Sequence, residues 1–415
     1  MGDRHPVEDL IPAESLAALD AAGPTDLLVG VPALNHVRTI AHVVECVARG
    51  LAEHFSTRKT AVLVADAGSQ DGTLEAIRTW KNKCPDVPVV LDLRLTGPAR
   101  RGRAVLAILL AARRLDAQVC GLVDANLTSV APGWVCRLLQ PILEGDADYV
   151  SPVYTRTISE GTLTTNLGAP MTQALYGKRI REVMGGCAGL SGKLAGRFLQ
   201  PEIWLTDLAA YGMDLWLTTE TLASGAKCAE AHLGRKIVIP SPGEPDLATT
   251  LAAVTGSLFS LMERYHTAWE EIEGRSPLPP TEMPAPLLPE VREVQLERMV
   301  RAFKLGLKDL LPVWEQIMPE ETLTHLYPLG VLGGDEFRFP PPVWAQVIAD
   351  FAVAFHERRL PREHLLRALA PLYLGRVAAF LLEAHAASPS RFPDLLEEIG
   401  RAFEEEIPSL RARWR

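Results

Sequence analysis

Short apolar runs alternate with amphipathic stretches through the first part of the chain. Leu27-Leu-Val-Gly-Val31 is the first run and stops at Pro32. Behind it, Val37, Ile40, Val44, Val47 and Leu51 recur at helical spacing and form one stripe. A second run, Ala61 to Ala65, ends in short polar residues from Asp66 to Thr73, and a helix follows. Val87 to Leu91 is a third strand candidate. The basic segment Leu95 to Arg103 leads into a helix with an alanine- and leucine-rich face that reaches Leu115. Val119 to Val123 is the fourth run, and Asp148 to Tyr154 and Cys228 to Ile239 read as further strands, the last with His232 inside it. Strand and helix in regular turn predict an α/β fold built on a doubly wound sheet.

After Trp134 the pattern loosens. Gly161 to Pro170 reads as a loop. Met184 to Gly192 is glycine-dense and reads as a loop with a helix behind it, and a further helix before Leu222 carries Asp214. From Leu247 the character changes to helix after helix. Leu296, Met299, Phe303, Leu307 and Leu310 make one stripe, and Trp344, Val347, Ile348, Phe351 and Phe355 make another. Between them Ser276 to Pro289 holds 6 prolines in 14 residues, which makes a stiff spacer. These shifts divide the chain into an N-terminal leader (1–24), a sheet-forming domain (25–245) and an all-helical region (246–415). The helical region either covers a cleft or builds a homodimer.

The most informative strand end is the fourth. Its apolar run breaks off into Asp124-Ala125-Asn126, followed by Thr128 and Ser129 as a helix-start pair and Pro132 just inside the next helix. In an open α/β sheet ligands bind at the carboxyl edge of the strands. Oxygen-bearing side chains at i and i+2 of an extended segment point the same way. Asp124 and Asn126 could so hold a ribose hydroxyl and a divalent cation on a diphosphate. On its own the triplet reads first as an Asx turn closing the strand.

Bulk composition narrows the classes. Of 415 residues, 47% are hydrophobic and 22% charged, the proportions of an ordinary folded protein. The net charge of −9 argues against a general nucleic-acid binder, and an anionic ligand needs local basic residues. The 6 cysteines are scattered without a CxxC pair, which fits a reducing cytoplasm. The N-terminus shows no apolar signal region. The longest apolar run, Ala104 to Ala112, is too short to cross a bilayer, so no membrane span is expected.

With these loops aligned, the chain resembles the GT-A glycosyltransferases. Val31-Pro-Ala-Leu-Asn35 with Thr39-Ile40 is similar to the first-strand signature of nucleotide-sugar transferases. Asp66-Ala-Gly-Ser-Gln-Asp-Gly-Thr73 resembles their turn after the second strand, and Asp124-Ala-Asn126 takes the place of their metal-binding D-x-D. The retaining enzymes that make glucosyl-3-phosphoglycerate or mannosylglycerate are the nearer likeness. They continue the D-x-D into a segment like Thr128-Ser129 and Gly133-Trp134, and share a Gly-Gly loop (Gly185-Gly186) and an acidic residue on the next helix (Asp214). The resemblance covers roughly residues 27–240, each motif alone being weak.

What the resemblance implies is a Rossmann-like mixed sheet and a retaining hexosyl transfer. Glucose or mannose would move from a nucleoside-diphosphate sugar to a glycerate-type acceptor such as glycerate or 3-phosphoglycerate. Pro32, Leu34 and Asn35 would line the nucleoside pocket, Asp66 and Ser69 would accept from base or ribose, and Arg101 would pair with the diphosphate. Asp124 would hold the ribose. Gly185 and Gly186 would let the backbone approach the donor sugar, Arg156 would bind the anionic acceptor, and Asp214 would act at the reacting centre. A magnesium or manganese ion would be held weakly by Asp124, Asn126 and His232. Three departures matter. Asn126 replaces a carboxylate with a neutral carbonyl, Cys187 stands where Glu is common, and Gly234-Arg-Lys-Ile-Val238 lacks the ligand His usual there. Two alternatives stay open: the same fold with a lipid-phosphate or sugar acceptor, and a sugar-nucleotide binder without turnover.

Overall fold

In the computed structural model the described residues are 8, 11–83, 89–96, 100–200, 212–240, 246–272, 274, 278 and 293–414. They fall into two compact units. One runs to Tyr154 and resumes from Met184 to 240; the other takes Thr155–Val183 and the residues from 246 on.

Among the described residues, the first unit is a seven-stranded sheet flanked by helices. Its strands are β1 (Leu27–Ala33), β2 (Thr60–Asp66), β3 (Val89–Arg94), β4 (Val119–Leu122), β5 (Tyr149–Thr155, whose last residue already counts with the second unit), β6 (Ala188–Ser191) and β7 (Cys228–Arg235). They lie in the order β3-β2-β1-β4-β6-β5-β7. The β3, β2, β1 and β4 strands run parallel, whereas β6 is antiparallel to both β4 and β5. The helices are α1 (Ala13–Ala22), α2 (Ile40–His54), α3 (Thr73–Lys83), α4 (Arg101–Arg114), α5 (Pro132–Leu143), α6 (Gly192–Arg197) and α7 (Met213–Ala223). This is the α/β mixed sheet expected. β1 is buried along its whole length, as a central parallel strand covered on both faces should be. The stripe Ile40, Val44, Val47 and Leu51 is fully buried against the sheet, whereas Val37 lies before α2 and is exposed.

Three differences from the sequence reading have clear causes. The leader is not separate: α1 buries Leu16 and Leu19, and Asp20 receives two donors from Arg114 on α4. The glycine-dense segment contains a strand, β6, inserted between β4 and β5. A side chain at Gly189 would meet the Leu138 carbonyl of α5 at 2.2 Å, so only glycine lets helix and strand close to that distance. The boundary at 245 is interrupted as well, because Thr155–Val183 packs with the C-terminal helices.

Thr155 apart, the regular elements of the second unit's described part are helices. Gly161 to Pro170, expected as a loop, contains a π-helical turn, Thr164–Gly168, running into helix Ala169–Tyr176. It is tied to the C-terminal helices by polar side chains. Asn166 accepts from Arg376 (3.1 Å) through its amide oxygen and from the Trp344 indole (2.6 Å) through its carbonyl, and Gln173 donates to Glu404 (2.7 Å). Trp344, Val347, Ile348 and Phe351 of the predicted stripe are fully buried. The proline-rich spacer lies, except for Leu278, outside the described residues. One stretch, Arg362–Ala386, is long and apolar enough by composition to cross a membrane, which the expectation of no span overlooked. Of its most apolar window 72% is buried inside the protein, and Arg376 lies fully buried within the stretch.

Candidate active site

The carboxyl ends of β1, β2 and β4 carry two distinct clusters. The first is a stitched pair of loops. Asn35, in the left-handed region at φ 59°, donates its N–H to Ser69 Oγ (2.8 Å) and accepts from the Gln70 N–H through its side chain (3.0 Å). Ser69 in turn donates both its N–H (3.1 Å) and its hydroxyl (2.5 Å) to the Asp66 carboxylate. Asp66 is fully buried. Its carboxylate therefore fixes the loop; it is not presented to a base or ribose as expected. The side chain of Asn35 is likewise engaged within the loops. Pro32 is inside β1, and Leu34 is half-buried with its N–H given to the His36 imidazole (3.0 Å). This cluster is a rigid frame, closed by Asp71, which accepts from the Val37 N–H (2.9 Å) and from the Thr73 N–H (3.1 Å).

The second cluster is ionic. Arg101, the first residue of α4, donates Nε (3.0 Å) and Nη2 (2.5 Å) to Asp124 Oδ1 and Nη1 (3.0 Å) to Asp214 Oδ1. Nη2 also reaches the Gly186 carbonyl (3.3 Å). Burial works against the guanidinium's charge, but Asp124 and Asp214 outweigh it and hold its pKa above the ordinary arginine value. Asp214 sits in the first turn of α7, where a helix N-terminus favours a carboxylate. Gly186 has φ +77°, and a side chain there would come within 1.7 Å of Asp124 Oδ2. The carboxylate thus fills the space that only a glycine leaves empty.

The chain after β7 completes this cluster. Thr128 and Ser129 do not start a helix. The Thr128 N–H donates to the Ile237 carbonyl (2.9 Å), Ser129 Oγ accepts from the Ile237 N–H (2.9 Å), and Leu127 bridges Val238. That clamp sets Lys236 beside the Gly-Gly turn. Its ammonium donates to the Gly185 carbonyl (2.7 Å), lies 5.1 Å from the centre of the Tyr154 ring, and flanks the same point beside Gly186 as Asp124 does. The Tyr154 hydroxyl donates to the same Gly185 carbonyl (3.1 Å), and its ring packs on Trp134. Lys236, and not the His expected in this segment, is the residue that joins the cluster. The signal for it is the pair of cationic residues, Arg235 and Lys236, within Gly234 to Val238.

The expected metal set is assembled differently. Asn126 is not beside Asp124 on an extended edge, because the backbone turns at Ala125–Asn126; its side-chain oxygen is buried without a hydrogen-bond partner. His232 is inside β7, where its carbonyl accepts from Arg137 on α5 (2.6 Å). Among the described residues no three His, Cys, Asp or Glu side chains group as a metal site. Cys187 is buried, and burial together with the Asp124 charge pushes its thiol up to about 11, so it packs as a neutral group. Arg156 belongs to the second unit and forms a two-pronged pair with Glu182 (2.8 and 2.6 Å).

Residues 28–198 match the model of glycosyl transferase family 2. This segment is a glycosyltransferase domain. No curated protein matches the chain. Among solved structures it is similar to glucosyl-3-phosphoglycerate synthase from Mycobacterium tuberculosis in complex with Mn2+ and uridine-diphosphate-glucose, at 21% identity and a TM-score of 0.44, covering 61% of this chain and 84% of that one. It is also similar to that enzyme in complex with Mn2+, uridine-diphosphate-glucose and phosphoglyceric acid (22% identity, TM-score 0.42, 61% and 85% covered). A third is mannosyl-3-phosphoglycerate synthase from Rubrobacter xylanophilus (17%, 0.44, 63% and 81%). Within the glycosyltransferase domain, Asn35, Asp66 and Ser69 are brought into one cluster, and Arg101, Asp124 and Gly186 into the other. Asp214 and Lys236 join the second cluster from beyond the matched segment.

Proposed function

We propose that the chain is a retaining glycosyltransferase that moves glucose or mannose from a nucleoside-diphosphate sugar to a glycerate-type acceptor. The observation that carries the reading is the cluster that Asp214 and Lys236 complete around Arg101 and Asp124, at the carboxyl end of β4 in the segment that matches glycosyl transferase family 2. A forked and a point cation at a strand edge both suit a diphosphate, and this cluster offers one of each. The acceptor class and the stereochemistry rest on the resemblance of the Asp124–Trp134 and Gly185–Gly186 segments alone.

In the transfer, the bond from the sugar's anomeric carbon to the β-phosphate oxygen breaks, and its electron pair stays on that oxygen. The acceptor hydroxyl oxygen bonds the same carbon, and its proton passes to the departing phosphate. For retention both events take place on one face, so stabilising the leaving group matters more than a strong protein base. Arg101 and Lys236 provide that stabilisation, Asp124 accepts from the ribose, and Asp214 orients Arg101 and hydrogen-bonds the sugar. The test is a panel of UDP- and GDP-sugars incubated with glycerate and 3-phosphoglycerate, with the anomer of the product read by NMR. An α-linked product from an α-linked donor is expected. A donor-dependent thermal shift without release of nucleoside diphosphate would replace the enzyme with a binder, and an inverted product would remove the retaining assignment.

A further inference from the structure

The glycosyltransferase reading leaves open whether a metal ion is needed, and the site's own charges bear on that question once the reading is granted. A divalent cation on a diphosphate is what a D-x-D triplet serves, and the residues present do not fit one. A hard cation takes six or more oxygens and prefers carboxylates. Here Asp124 Oδ1 is shared by two Arg101 donors, and the second position is Asn126, a neutral amide with a buried oxygen. Two fixed positive groups, the Arg101 guanidinium and the Lys236 ammonium, already stand at this place.

We propose that Lys236 and Arg101 together supply the positive charge that a divalent ion would supply, so that the chain binds its diphosphate donor without metal. Two single charges replace one double charge. The placement of Lys236 is built. Thr128 and Ser129 grip Ile237 from the loop that follows Asp124, so the same segment that carries the carboxylate also sets the ammonium. The Gly185 carbonyl and the Tyr154 ring hold the ammonium without neutralising it, which leaves its full charge for an anion. Asn126 fits the same logic. With no dication to hold, a carboxylate at this buried position would have no counter-charge, and the neutral amide there needs none.

The experiment titrates UDP, GDP, ADP and dTDP into the full chain by calorimetry, in EDTA and in manganese, for the native protein, Lys236→Met and Lys236→Arg. Native affinity for the preferred nucleotide is expected to be the same in both media. Lys236→Met should weaken it about 10- to 100-fold in both, the loss of one charge-assisted contact, and Lys236→Arg should recover most of it. The melting midpoint without nucleotide is recorded for each variant. A purely structural lysine would lower that midpoint and leave the affinity of the folded protein unchanged, which would overturn the proposal. Native binding that vanishes in EDTA would also overturn it while leaving the glycosyltransferase reading standing. Binding of none of the four nucleotides in either medium would sink both.

Discussion

Two arginines show what separates an ion pair that holds the protein together from one that holds a ligand. Arg376, in helix Ala370–Ala386 of the helical unit, has no exposed side-chain surface. Its guanidinium donates to both Glu383 oxygens (3.0 and 2.9 Å), to Asn166 Oδ1 (3.1 Å) and to the Phe339 carbonyl (2.7 Å). Arg101, in the sheet unit, makes as many contacts, but its side chain is 31% exposed and its two carboxylates are 14% and 25% exposed. A sealed pair cannot exchange its partners for anything else, whereas a pair at an open strand edge can pass a guanidinium from carboxylate to phosphate at little cost. Counting hydrogen bonds does not distinguish them; access does.

The sharpest way to break this comparison is to remove each cation in turn. Arg376→Met leaves a carboxylate and a buried amide oxygen without their donor, and should cost about 3–5 kcal/mol of unfolding free energy. Arg101→Met removes a part-exposed pair and should cost less than about 1 kcal/mol, yet weaken donor binding by roughly 1.5–3 kcal/mol. Arg113→Met, on the exposed end of α4, should do neither. Urea denaturation and nucleotide titration of the three variants read both quantities. Equal stability losses for Arg376 and Arg101 would erase the distinction between a sealed pair and an open one.

Gly186→Ala sharpens it from the other side. The substitution asks a residue with a side chain to keep φ +77° and to share space with the Asp124 carboxylate. The strain is roughly 2–3 kcal/mol, part from the left-handed backbone and part from overpacking. If the site yields locally, donor affinity falls by that amount and the melting midpoint hardly moves. If the midpoint falls instead and affinity in the folded fraction is native, the Gly185–Gly186 turn is a structural joint and not part of the donor site.

The sheet was legible because its strands are apolar runs ended by polar residues, a pattern that depends only on neighbours in sequence. β6 was not, because Gly189 within it and Gly192 just after it are glycines for the sake of backbones packed from elsewhere, α5 in one case and Ala117 in the other. The strand-end loops were legible as sites of interest, and Asp124, Arg101, Asp214 and Gly186 do converge. What each does there was less so. Whether Asp66 faces a ligand or Ser69 depends on a loop's internal hydrogen bonds, and the same letters serve either. Lys236 escaped notice because its place is set through its neighbour Ile237, which bonds Thr128 and Ser129 more than a hundred positions earlier, and no local pattern encodes that.

The smallest expected effect tests the rigid frame against the ionic cluster. Asp71 is exposed, yet its carboxylate receives the Thr73 N–H and hydroxyl and the Val37 N–H. Desolvation alone would raise its pKa, but the hydrogen bond from Thr73 and those from the backbone outweigh it, so the folded value lies below the ordinary one. A carboxyl depressed on folding stabilises the native state above its unfolded pKa of about 3.9, and that contribution is lost as the pH falls through the folded value. Asp71→Asn keeps one acceptor but loses the charge, and should cost about 0.3–1 kcal/mol at neutral pH, the range for a carboxylate at an exposed helix start. The deficit should be constant from about pH 8 to pH 5 and shrink below about pH 4 as the native carboxylate is protonated. Other carboxylates titrate alike in both proteins and cancel in the difference. Urea midpoints of the pair at neutral and acid pH decide it. A deficit that grows on acidification would have the wrong sign for a depressed carboxyl, and one that is absent at neutral pH would mean that Asp71 fastens neither Thr73 nor Val37.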